Sequence, residues 1–438
     1  MQNAPIEVEY EALASPHAKI IADAAFRTSS DGQFEGSYKW QSDLYRTLSD
    51  AKNDVGLITM GYAASGKTEA VLIPSLGMHR GGAPRRVFMI ESDESPLDDA
   101  YYRAVPYLKN FASSDGEPRS LYLDRFQASS ADQQCWTYLA SGTVEGPLTC
   151  SPLDSGVDLV LTNLSRFEEF FFGAGGVNAL PSSLAVDDSH ITRKNLFFFN
   201  EAHRYDAESF NRFTKLLAFL YAEDVDIIVA SSTLSEECRA ELDFLSQGSN
   251  SAYPSSGRRM FHFQSTGNVL ASIEDAIRVR YPLNVRTAAV LNTVADAERL
   301  YERLKSSYSH NLFIYHHEQA PPRRQSTYAQ LRGLEKEGLG YLLITTGACL
   351  EASDLDISDM FSTFCSPQKL LLRAGRCNRR RHLEFGNITI YSDGEKPHGS
   401  TMNAAQYDRY REAMKSCHRS EFDPTNWLGF VNTERECG

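Results

Sequence analysis

Gly61-Tyr62-Ala63-Ala64-Ser65-Gly66-Lys67-Thr68 follows the pattern G-x-x-x-x-G-K-[ST], in which the backbone N–H groups of a glycine loop surround phosphate oxygens. The apolar segment before it, Val55–Met60, is typical of a buried strand, and Glu69–Ile73 after it can open a helix. A strand, a glycine loop and a helix in this order place the positive end of the helix at the phosphates. An ordinary Gly/Ser surface turn is the alternative, but the two flanks disfavour it.

The individual residues of this loop carry distinct expected roles. Gly61, Ser65 and Gly66 would present backbone amides to the phosphates. Lys67 would reach the β- and γ-phosphates of ATP, and the Thr68 hydroxyl would ligate Mg²⁺. The stretch therefore predicts a site for a nucleoside triphosphate and its metal ion.

Bulk composition narrows the class of protein. The chain has 438 residues, enough for two or three domains, with 42% hydrophobic and 23% charged residues. No apolar run approaches the ~20 residues that span a bilayer, and the N-terminus lacks the features of a secretory signal. The eight cysteines show no C-x-x-C pair or zinc-like spacing, so we expect free thiols, a cytoplasmic protein and no membrane association. A net charge of −13 argues against bulk attraction to nucleic acid but is compatible with a local groove.

Short apolar runs alternate with helical patterns along the chain, which predicts an α/β fold with mostly parallel sheets and helices on both faces. The predicted strands are Val55–Met60, Arg86–Ile90, Asp158–Leu161, Leu196–Phe199, Asp226–Ala230, Thr287–Leu291, Leu312–Tyr315, Tyr341–Thr345 and Asn387–Tyr391. The predicted helices are Trp40–Asp50, Asp98–Phe111, Ala207–Tyr221, Val294–Ser307, Tyr328–Gly338 and Gln406–Ser416.

A Gly/Ser/Pro-rich stretch, Gln247–Gly257, interrupts this alternation, and a second α/β unit follows it. We place the boundary between the units near 265–280. The predicted domains are an N-terminal extension over 1–37, a first domain over 38–268, a second domain over 269–395 and a short helical segment over 396–438.

A second motif lies at the end of the predicted strand around Leu196–Phe199. A phosphate loop is usually paired with a strand that ends in two acidic residues, of which the first holds Mg²⁺ through water and the second polarises the attacking water. Here the two positions are Asn200 and Glu201. The amide oxygen of Asn200 is still a donor for a hard cation, but one negative charge is lost. We therefore expect weaker Mg²⁺ retention, slower hydrolysis, and higher activity in an Asn200→Asp variant.

A third motif is the basic run from Leu371 to Arg381. A solvated basic helix is the ordinary explanation of such a run. However, Arg373, Arg376 and Arg380 share helical spacing, and Gly375 would allow a backbone to come close. Arginines that reach a phosphate from a neighbouring domain stabilise the charge that develops in the transition state.

The order of these motifs resembles that of the superfamily 2 helicases, and most of all the helicase subunit of type I CRISPR interference systems. Arg373–Arg379 is close to that family's final motif, Q-R-A-G-R-x-N-R, although Leu372 replaces the glutamine. The other matching segments, between about residues 38 and 392, are Trp40-Gln41, Val160-Leu-Thr162-Asn163, Val290-Leu-Asn292-Thr293-Val-Ala-Asp296-Ala297 and Tyr315-His316-His317. The phosphate loop is specific for nucleoside triphosphatases only, so the narrower resemblance depends on the arginine and N-T-V motifs.

The resemblance implies two tandem RecA-like domains that clamp ATP and Mg²⁺ between them. It implies that Gln41 reads adenine and that Glu201 is the general base. Mg²⁺ would be held by Thr68 and, through water, by Asn200. The remaining implied nucleotide residues are His203 and Thr233, which couple the ATP state to the domain interface, the arginine fingers Arg376 and Arg379, and the nearby Asp354 and Arg373.

The resemblance also implies a motor that moves 3′→5′ along single-stranded DNA. Its implied contacts to the strand are Thr162, Asn163, Asn292 and Thr346. The implied partners are an RNA-guided CRISPR surveillance complex and a separate nuclease subunit, because the chain has no His-Asp dipeptide or suggestive His/Asp set. Three departures from the family, at Asn200, Leu372 and Glu351, leave an alternative open. In that alternative, a degenerate RecA-like pair binds nucleotide or a partner complex with little or no turnover.

Overall fold

The structure, a computed structural model, describes residues 23–28, 39–49, 56–60, 66–77, 79–80, 83–84, 86–92, 95–127, 130–148, 156–172, 195–205, 207–223, 225–232, 234–247, 258–280, 285–308, 311–380, 382–395, 402–424 and 426–427. Three of the predicted nucleotide residues, Gly61, Ser65 and Thr233, lie outside these residues. So do most of the predicted N-terminal extension and the last residues of the chain.

The first half of the chain forms one sheet with flanking helices. Its strands are β1 (Gly56–Met60), β4 (Arg86–Glu91), β5 (Arg119–Gln127), β6 (Ser130–Tyr138), β7 (Val144–Leu148), β8 (Leu159–Asn163), β9 (Asn195–Phe199), β10 (Asp226–Ser231) and β11 (Ser246–Gln247), while β2 (His79–Arg80) and β3 (Ala83–Pro84) form a separate hairpin. Its helices are α1 (Lys39–Ser49), α2 (Lys67–Gly77), α3 (Ser95–Asp115), α4 (Leu164–Phe172), α5 (Ala207–Ala222) and α6 (Glu236–Ala240). A 3₁₀ turn, Ala202–Arg204, follows β9.

The spatial order of this sheet is β11-β1-β10-β9-β4-β8-β5-β6-β7. Neighbours are parallel from β11 to β5, and β6 and β7 then add antiparallel strands at one side. The strands β8, β9 and β10 are buried along their whole length, because helices cover both faces. This burial explains why their sequences are continuously apolar. Strand β1 precedes the phosphate loop and β9 precedes the acidic motif. Because both run parallel in this sheet, their carboxyl ends lie at the same edge.

The second half forms another sheet. Its strands are β12 (Arg259–Ser265), β13 (Thr287–Leu291), β14 (Leu312–Tyr315), β15 (Leu342–Thr346), β16 (Asp359–Thr363), β17 (Gly386–Ser392) and β18 (Ser420–Glu421), in the spatial order β14-β15-β13-β16-β17-β12-β18. Its helices are α7 (Val269–Arg280), α8 (Val294–Lys305), α9 (Pro321–Lys336), α10 (Gly347–Ala352), α11 (Pro367–Ala374) and α12 (Ala404–Ser416). Neighbours are parallel except β18, which runs antiparallel to β12. The predicted fold class, two tandem α/β domains with mostly parallel sheets, is confirmed.

The boundary between the two units along the chain differs from the predicted boundary between residues 268 and 269. Strand β12 falls inside the predicted first domain, 38–268, but it pairs with β17 in the second sheet. Its residues are alternately buried and partly exposed, so it lacks the continuous apolar run that marks the other parallel strands. The second unit therefore begins after the Gly/Ser/Pro-rich stretch, at β12. The C-terminal segment belongs to it as well, since Tyr410, Met414 and Trp427 are buried in its core.

The arginine motif is not a continuous helix. Helix α11 ends at Ala374, and Gly375 is its C-terminal cap. The chain then turns so that Cys377 forms a bridge with Ile357, in which the Ile357 N–H donates to the Arg376 carbonyl at 2.8 Å. The predicted helical spacing of Arg373, Arg376 and Arg380 is therefore wrong. Arg376 and Arg380 project from turns that the bridge holds in place.

None of the described helices combines the length and apolar character needed to cross a membrane. The described cysteines are all free thiols. In the second sheet the thiol of Cys377 is fully buried, and this burial raises its pKa to about 12. It is therefore a packing residue rather than a reactive one.

Candidate active site

The carboxyl ends of β1, β9 and β10 meet at one edge of the first sheet. Met60 at the end of β1 is paired with Ser231 at the end of β10, and Val229 of β10 is paired with Phe199 of β9. Helix α2 begins at Lys67 shortly after β1, while Asn200 follows Phe199 directly. This register brings the described part of the phosphate loop and the acidic motif together, at the edge where parallel α/β sheets bind ligands.

Gly66 ends the phosphate loop in a conformation that other residues avoid. Its φ is +81°, in the left-handed region, and its carbonyl accepts the N–H of Ala70 at 2.9 Å to start helix α2. The same carbonyl accepts a hydrogen bond of 3.1 Å from Nε2 of Gln41 in α1. A Cβ at position 66 would lie 2.7 Å from that nitrogen, so both the backbone angle and the close approach require glycine. Gln41 is thus fixed against the loop.

Lys67 is buried at the first position of α2, and Thr68 beside it is buried too. Burial lowers the pKa of Lys67 to about 8, with Glu201 opposing this effect. Arg376 and Arg379 from the second sheet lower the pKa further. Gln368 of α11 donates to the backbone carbonyl of His203 at 3.3 Å, so the second unit lies against this edge of the first sheet and the two face each other across a crevice.

Glu201 stands at the mouth of this crevice with a strained backbone. Its φ and ψ are 55° and 42°, a left-handed conformation that is uncommon for a glutamate and typical of functional sites. Burial alone would raise its pKa, but His203, Lys67 and Arg376 overcome this and lower the pKa to about 2. The side chain keeps about a fifth of its surface exposed (21%). It is therefore an ionised carboxylate that solvent can still reach.

His203 holds this carboxylate in place. Its Nε2 lies 3.2 Å from Oε2 of Glu201, and its Nδ1 accepts from the backbone N–H of Ser232 at 3.5 Å and lies 3.2 Å from Oγ of Ser231. Burial lowers the pKa of His203 to about 4, so the ring is neutral at physiological pH. Because Nδ1 is an acceptor, the proton is on Nε2, which donates to Glu201. The ring thus connects β9 to β10.

Asn200 is buried beside Glu91 at the end of β4. The backbone N–H of Asn200 donates to the Ile90 carbonyl at 3.0 Å, and Nδ2 of its side chain donates to Oε1 of Glu91 at 2.9 Å. Burial raises the pKa of Glu91 to about 8, although the hydrogen bond from Asn200 opposes the rise. Glu91 was not among the predicted site residues. A buried acid at the end of a predicted strand was the signal that could have identified it.

On the other side of the crevice, Arg376 and Arg379 follow helix α11. Arg376 is buried and donates to the backbone carbonyl of Glu351, while its Nε has no hydrogen-bond partner among the described residues. Burial lowers its pKa to about 10, and the charge of Arg379 adds to this effect. Arg379 forms an ion pair of 2.6 Å with Asp354. Burial alone would raise the pKa of Asp354, but Arg379, Arg103 and Arg332 lower it below its usual range.

Direct hydrogen bonds join the two sheets near these residues. Gln368 in α11 donates from Nε2 to the backbone carbonyl of His203 at 3.3 Å. Gln368 lies one helical turn before Leu372, the position at which the resembling family has its glutamine. Gln368 was not among the predicted site residues, although its one-turn offset from Leu372 can be seen in the sequence. Tyr328 in α9 donates its hydroxyl to Asp99 in α3 and accepts the backbone N–H of Asp354 at 3.1 Å.

We expect a Tyr328→Phe variant to loosen the contact between the sheets. Asp99 is buried, so loss of the tyrosine hydroxyl leaves one of its oxygens without that partner and should lower the free energy of unfolding by about 1–3 kcal/mol. Chemical unfolding followed by fluorescence measures the change. Tyr221→Phe, at a tyrosine that is 46% exposed on α5, is the matched control and should be neutral. Equal stability of Tyr328→Phe and the unchanged protein would contradict this prediction.

Other predicted site residues make contacts within their own sheet. The side chain of Arg373 bonds to Glu351, Ser362, the Thr363 carbonyl and Oδ1 of Asn292, while Nδ2 of Asn292 donates to the Phe364 carbonyl at 2.8 Å. Both ends of the Asn292 amide, predicted to contact a nucleic acid, are thus used inside the second unit.

The remaining predicted nucleic-acid residues, unlike the exposed Asn292, are buried. Thr162 is fully buried at the end of β8, and Oδ1 of Asn163 accepts the backbone N–H of Arg166 at 3.0 Å and so caps helix α4. Thr346 is buried before α10, and its hydroxyl lacks a hydrogen-bond partner in the described part of the chain. Asn163 thus caps a helix, whereas the Thr346 hydroxyl has no hydrogen-bond partner among the described residues.

Comparison with known proteins agrees with this architecture. The family described as CRISPR-associated nuclease/helicase Cas3, C-terminal, matches residues 284–382, which include the arginine motif. A comparison of the sequence with curated proteins finds no match.

Several solved structures share the fold. The DUF1998 helicase MrfA bound to DNA has a TM-score of 0.63 and 14% identity, over 92% of this chain and 55% of that chain. Cas3 of T. fusca with AMPPNP has a TM-score of 0.60 and 16% identity, over 93% of this chain and 53% of that chain. Dbp5 of S. cerevisiae bound to RNA and ADP BeF3 has a TM-score of 0.59 and 13% identity, over 90% of this chain and 96% of that chain. The chain thus spans about half the length of the MrfA and Cas3 chains.

The sheet order, the site at the facing edges and these similarities lead to one conclusion. The chain shares a tandem RecA-like fold with the MrfA, Cas3 and Dbp5 structures, and its residues 284–382 resemble the C-terminal region of Cas3.

Proposed function

We propose that this protein is an ATP hydrolase that translocates 3′→5′ along single-stranded DNA in type I CRISPR interference. One observation carries the proposal: helix α11 of the second unit, which leads into Arg376 and Arg379, contacts the acidic motif of the first unit, because Gln368 donates to the His203 carbonyl at 3.3 Å. An ATP bound between the two units would meet positive charge from both. Closure of the two units around ATP, and their release after hydrolysis, would be the hinge motion that drives movement.

The described residues fit ATP and Mg²⁺. Lys67 lies at the N-terminus of α2, where the helix dipole favours phosphate, and Gln41 bonds to the same loop. Thr68 and Asn200 would hold Mg²⁺, and Oδ1 of Asn200 is a buried oxygen with no hydrogen-bond partner among the described residues. Bound Mg²⁺ would neutralise part of the phosphate charge.

Residues of both units would carry out the remaining steps of ATP hydrolysis. Glu201 would accept a hydrogen bond from the attacking water and orient it, since its carboxylate is ionised and partly exposed. Neutral His203 would fix the direction of this carboxylate through Nε2. Arg376 would stabilise the charge on the transferred phosphoryl group. Arg379 is held by its ion pair with Asp354 through Nη2, so its contribution should be smaller, although its Nη1 has no hydrogen-bond partner among the described residues.

We expect purified protein to hydrolyse ATP several-fold faster when single-stranded DNA is added. Binding of the strand across both units would favour the closed crevice, which assembles the site. Phosphate release, measured with and without an unstructured oligonucleotide, tests this. Duplexes with a 3′ or a 5′ single-stranded tail test the direction, since a 3′→5′ motor unwinds only the former. Duplex DNA without a tail is the control. No stimulation at any Mg²⁺ concentration would contradict the proposal.

The role in CRISPR interference requires partners. The similarity of residues 284–382 to Cas3 supports a strand supplied by an RNA-guided surveillance complex and cut by a separate nuclease subunit. Co-purification of the protein with such a complex carrying an opened duplex would test this step. Binding to the oligonucleotide alone, with no affinity for the complex, would restrict the function to a general DNA translocase.

A second candidate is a degenerate pair that binds nucleotide without turnover. The amide at position 200, where an acid is usual, favours it. Nucleotide would then raise the melting temperature through linkage to the folded state, while phosphate release stays at background. Thermal unfolding and phosphate release, measured on one preparation, distinguish the two candidates.

A further inference from the structure

The end of β4 places a buried acid beside the amide that occupies the usual position of an acid. Ile90 pairs with Phe199 in the adjacent strand, so the residues that follow them, Glu91 and Asn200, are neighbours across the strands. Glu91 is 1% exposed and Asn200 is 4% exposed. The amide nitrogen of Asn200 donates to Oε1 of Glu91 at 2.9 Å. The two side chains therefore form one buried pair.

This hydrogen bond decides which atom of Asn200 remains available. The amide nitrogen is directed to Glu91, so the amide oxygen, on the other arm of the planar group, points away from it. That oxygen is buried and has no hydrogen-bond partner among the described residues. Buried polar atoms are nearly always bonded, so an oxygen left in this way needs a partner. Mg²⁺ prefers oxygen ligands or water held by them.

We propose that Glu91 is a positioning residue that turns the oxygen of Asn200 toward the Mg²⁺ of the bound nucleotide, an inference that rests on the proposed function. The amide of Asn200 then has a specific role: its nitrogen donates to Glu91, and its oxygen is left for the metal ion. An aspartate at position 200 would have no N–H to donate to Oε1 of Glu91, so the hydrogen bond that orients this position would be lost. The pair keeps both an oxygen donor at the site and the hydrogen bond that orients it.

Three substitutions at two positions test the role of Glu91. Glu91→Ala removes the acceptor, and we expect it to weaken the Mg²⁺-dependent part of ADP binding by about tenfold, as for other residues that orient metal ligands. Glu91→Gln keeps an accepting oxygen and should restore most of this binding. Glu168→Ala is the matched control, because Glu168 is also a buried acid of the first unit but pairs with Arg212 on α5.

The readout is the ratio of the ADP dissociation constants in EDTA and in Mg²⁺, measured by calorimetry. A residue that only supports packing would lower the melting temperature without changing this ratio. The proposal expects a lower ratio for Glu91→Ala, and an unchanged ratio for Glu91→Gln and Glu168→Ala. An unchanged ratio for Glu91→Ala overturns this inference alone. Absence of Mg²⁺-dependent ADP binding in the unchanged protein overturns the proposed function as well.

The same pair changes what is expected of Asn200→Asp. With Glu91 present, the new carboxylate has no amide N–H to donate to Oε1 of Glu91, so this single variant should gain no Mg²⁺-dependent affinity and should melt at a lower temperature. The double variant Glu91→Gln/Asn200→Asp reverses the polarity of the pair, since the glutamine amide can donate to the new acid. It should bind ADP more tightly in Mg²⁺ than either single variant. Equal gains for Asn200→Asp with and without Glu91→Gln would overturn the proposed pairing.

Discussion

Lys67→Ala is expected to reduce kcat/KM for ATP by about 100-fold or more, since it removes the central charge of the phosphate site. Lys67 is buried at the start of α2, between Glu201 on its own sheet and two arginines from the other. No other lysine among the described residues occupies such a position. The loss should appear in ADP affinity as well, because the lysine contacts the phosphates in the ground state.

Steady-state phosphate release and ADP calorimetry measure these two effects. Lys305→Ala, at an exposed lysine of α8 that pairs with Glu302, is the matched control and should be neutral. Circular dichroism at the assay temperature establishes that the variant is folded. A folded Lys67→Ala protein that hydrolyses ATP within tenfold of the unchanged protein would remove the phosphate loop from the mechanism.

The continuously apolar strands were predictable because helices cover both faces of a parallel sheet. Thr287–Leu291 and Leu312–Tyr315 were predicted with the bounds that the structure has, and β9 and β10 differ by one residue at one end. The strands β5, β6, β7, β12 and β16 were missed, as were the two-residue strands β2, β3, β11 and β18. Their sequences alternate or are polar, and β7 is exposed along its length. Their pairing depends on contacts between distant segments that local patterns do not record.

The site residues also fall into those that a local pattern predicts and those that depend on contacts between distant segments. Motifs within one segment, such as the phosphate loop at Lys67 and the acid at Glu201, could be found because their function requires fixed spacing along the chain. Glu91, Gln368 and Tyr328 lie outside such motifs, and only Glu91, at a strand end, and Gln368, one turn before Leu372, had any local signal. Each acquires its role from a neighbour more than 100 residues away, through strand register or through the docking of the two sheets. The sequence pattern predicts the loop and the acid but not the residues that hold them.

Arg376 provides the test that separates a motor from a static nucleotide-binding protein. Arg376 follows helix α11, whose Gln368 donates to the His203 carbonyl beside Glu201, so it belongs to the part of the second unit that meets the candidate nucleotide site. Its Nε has no hydrogen-bond partner among the described residues, which leaves a donor for a phosphate oxygen. Arg379 is the weaker candidate, because its guanidinium is paired with Asp354.

We expect Arg376→Ala to lower kcat by about 1,000-fold, the usual effect of removing an arginine finger. ADP affinity should change by only a few-fold, since the charge that Arg376 stabilises develops in the transition state. Single-turnover phosphate release and ADP calorimetry measure the two effects separately. Arg303→Ala, on the exposed face of α8, is the control and should be neutral.

The pattern of losses distinguishes three arrangements of the crevice. A large fall in kcat with ADP binding preserved means that the second unit supplies a catalytic charge to ATP held by the first. Equal falls in kcat and ADP affinity would mean that Arg376 supports nucleotide binding in both states. An unchanged kcat, in a protein that hydrolyses ATP and depends on Lys67, would place the reacting phosphate beyond the reach of Arg376. Stepping could not then be driven by closure of the two sheets on ATP, because hydrolysis would proceed without the second sheet.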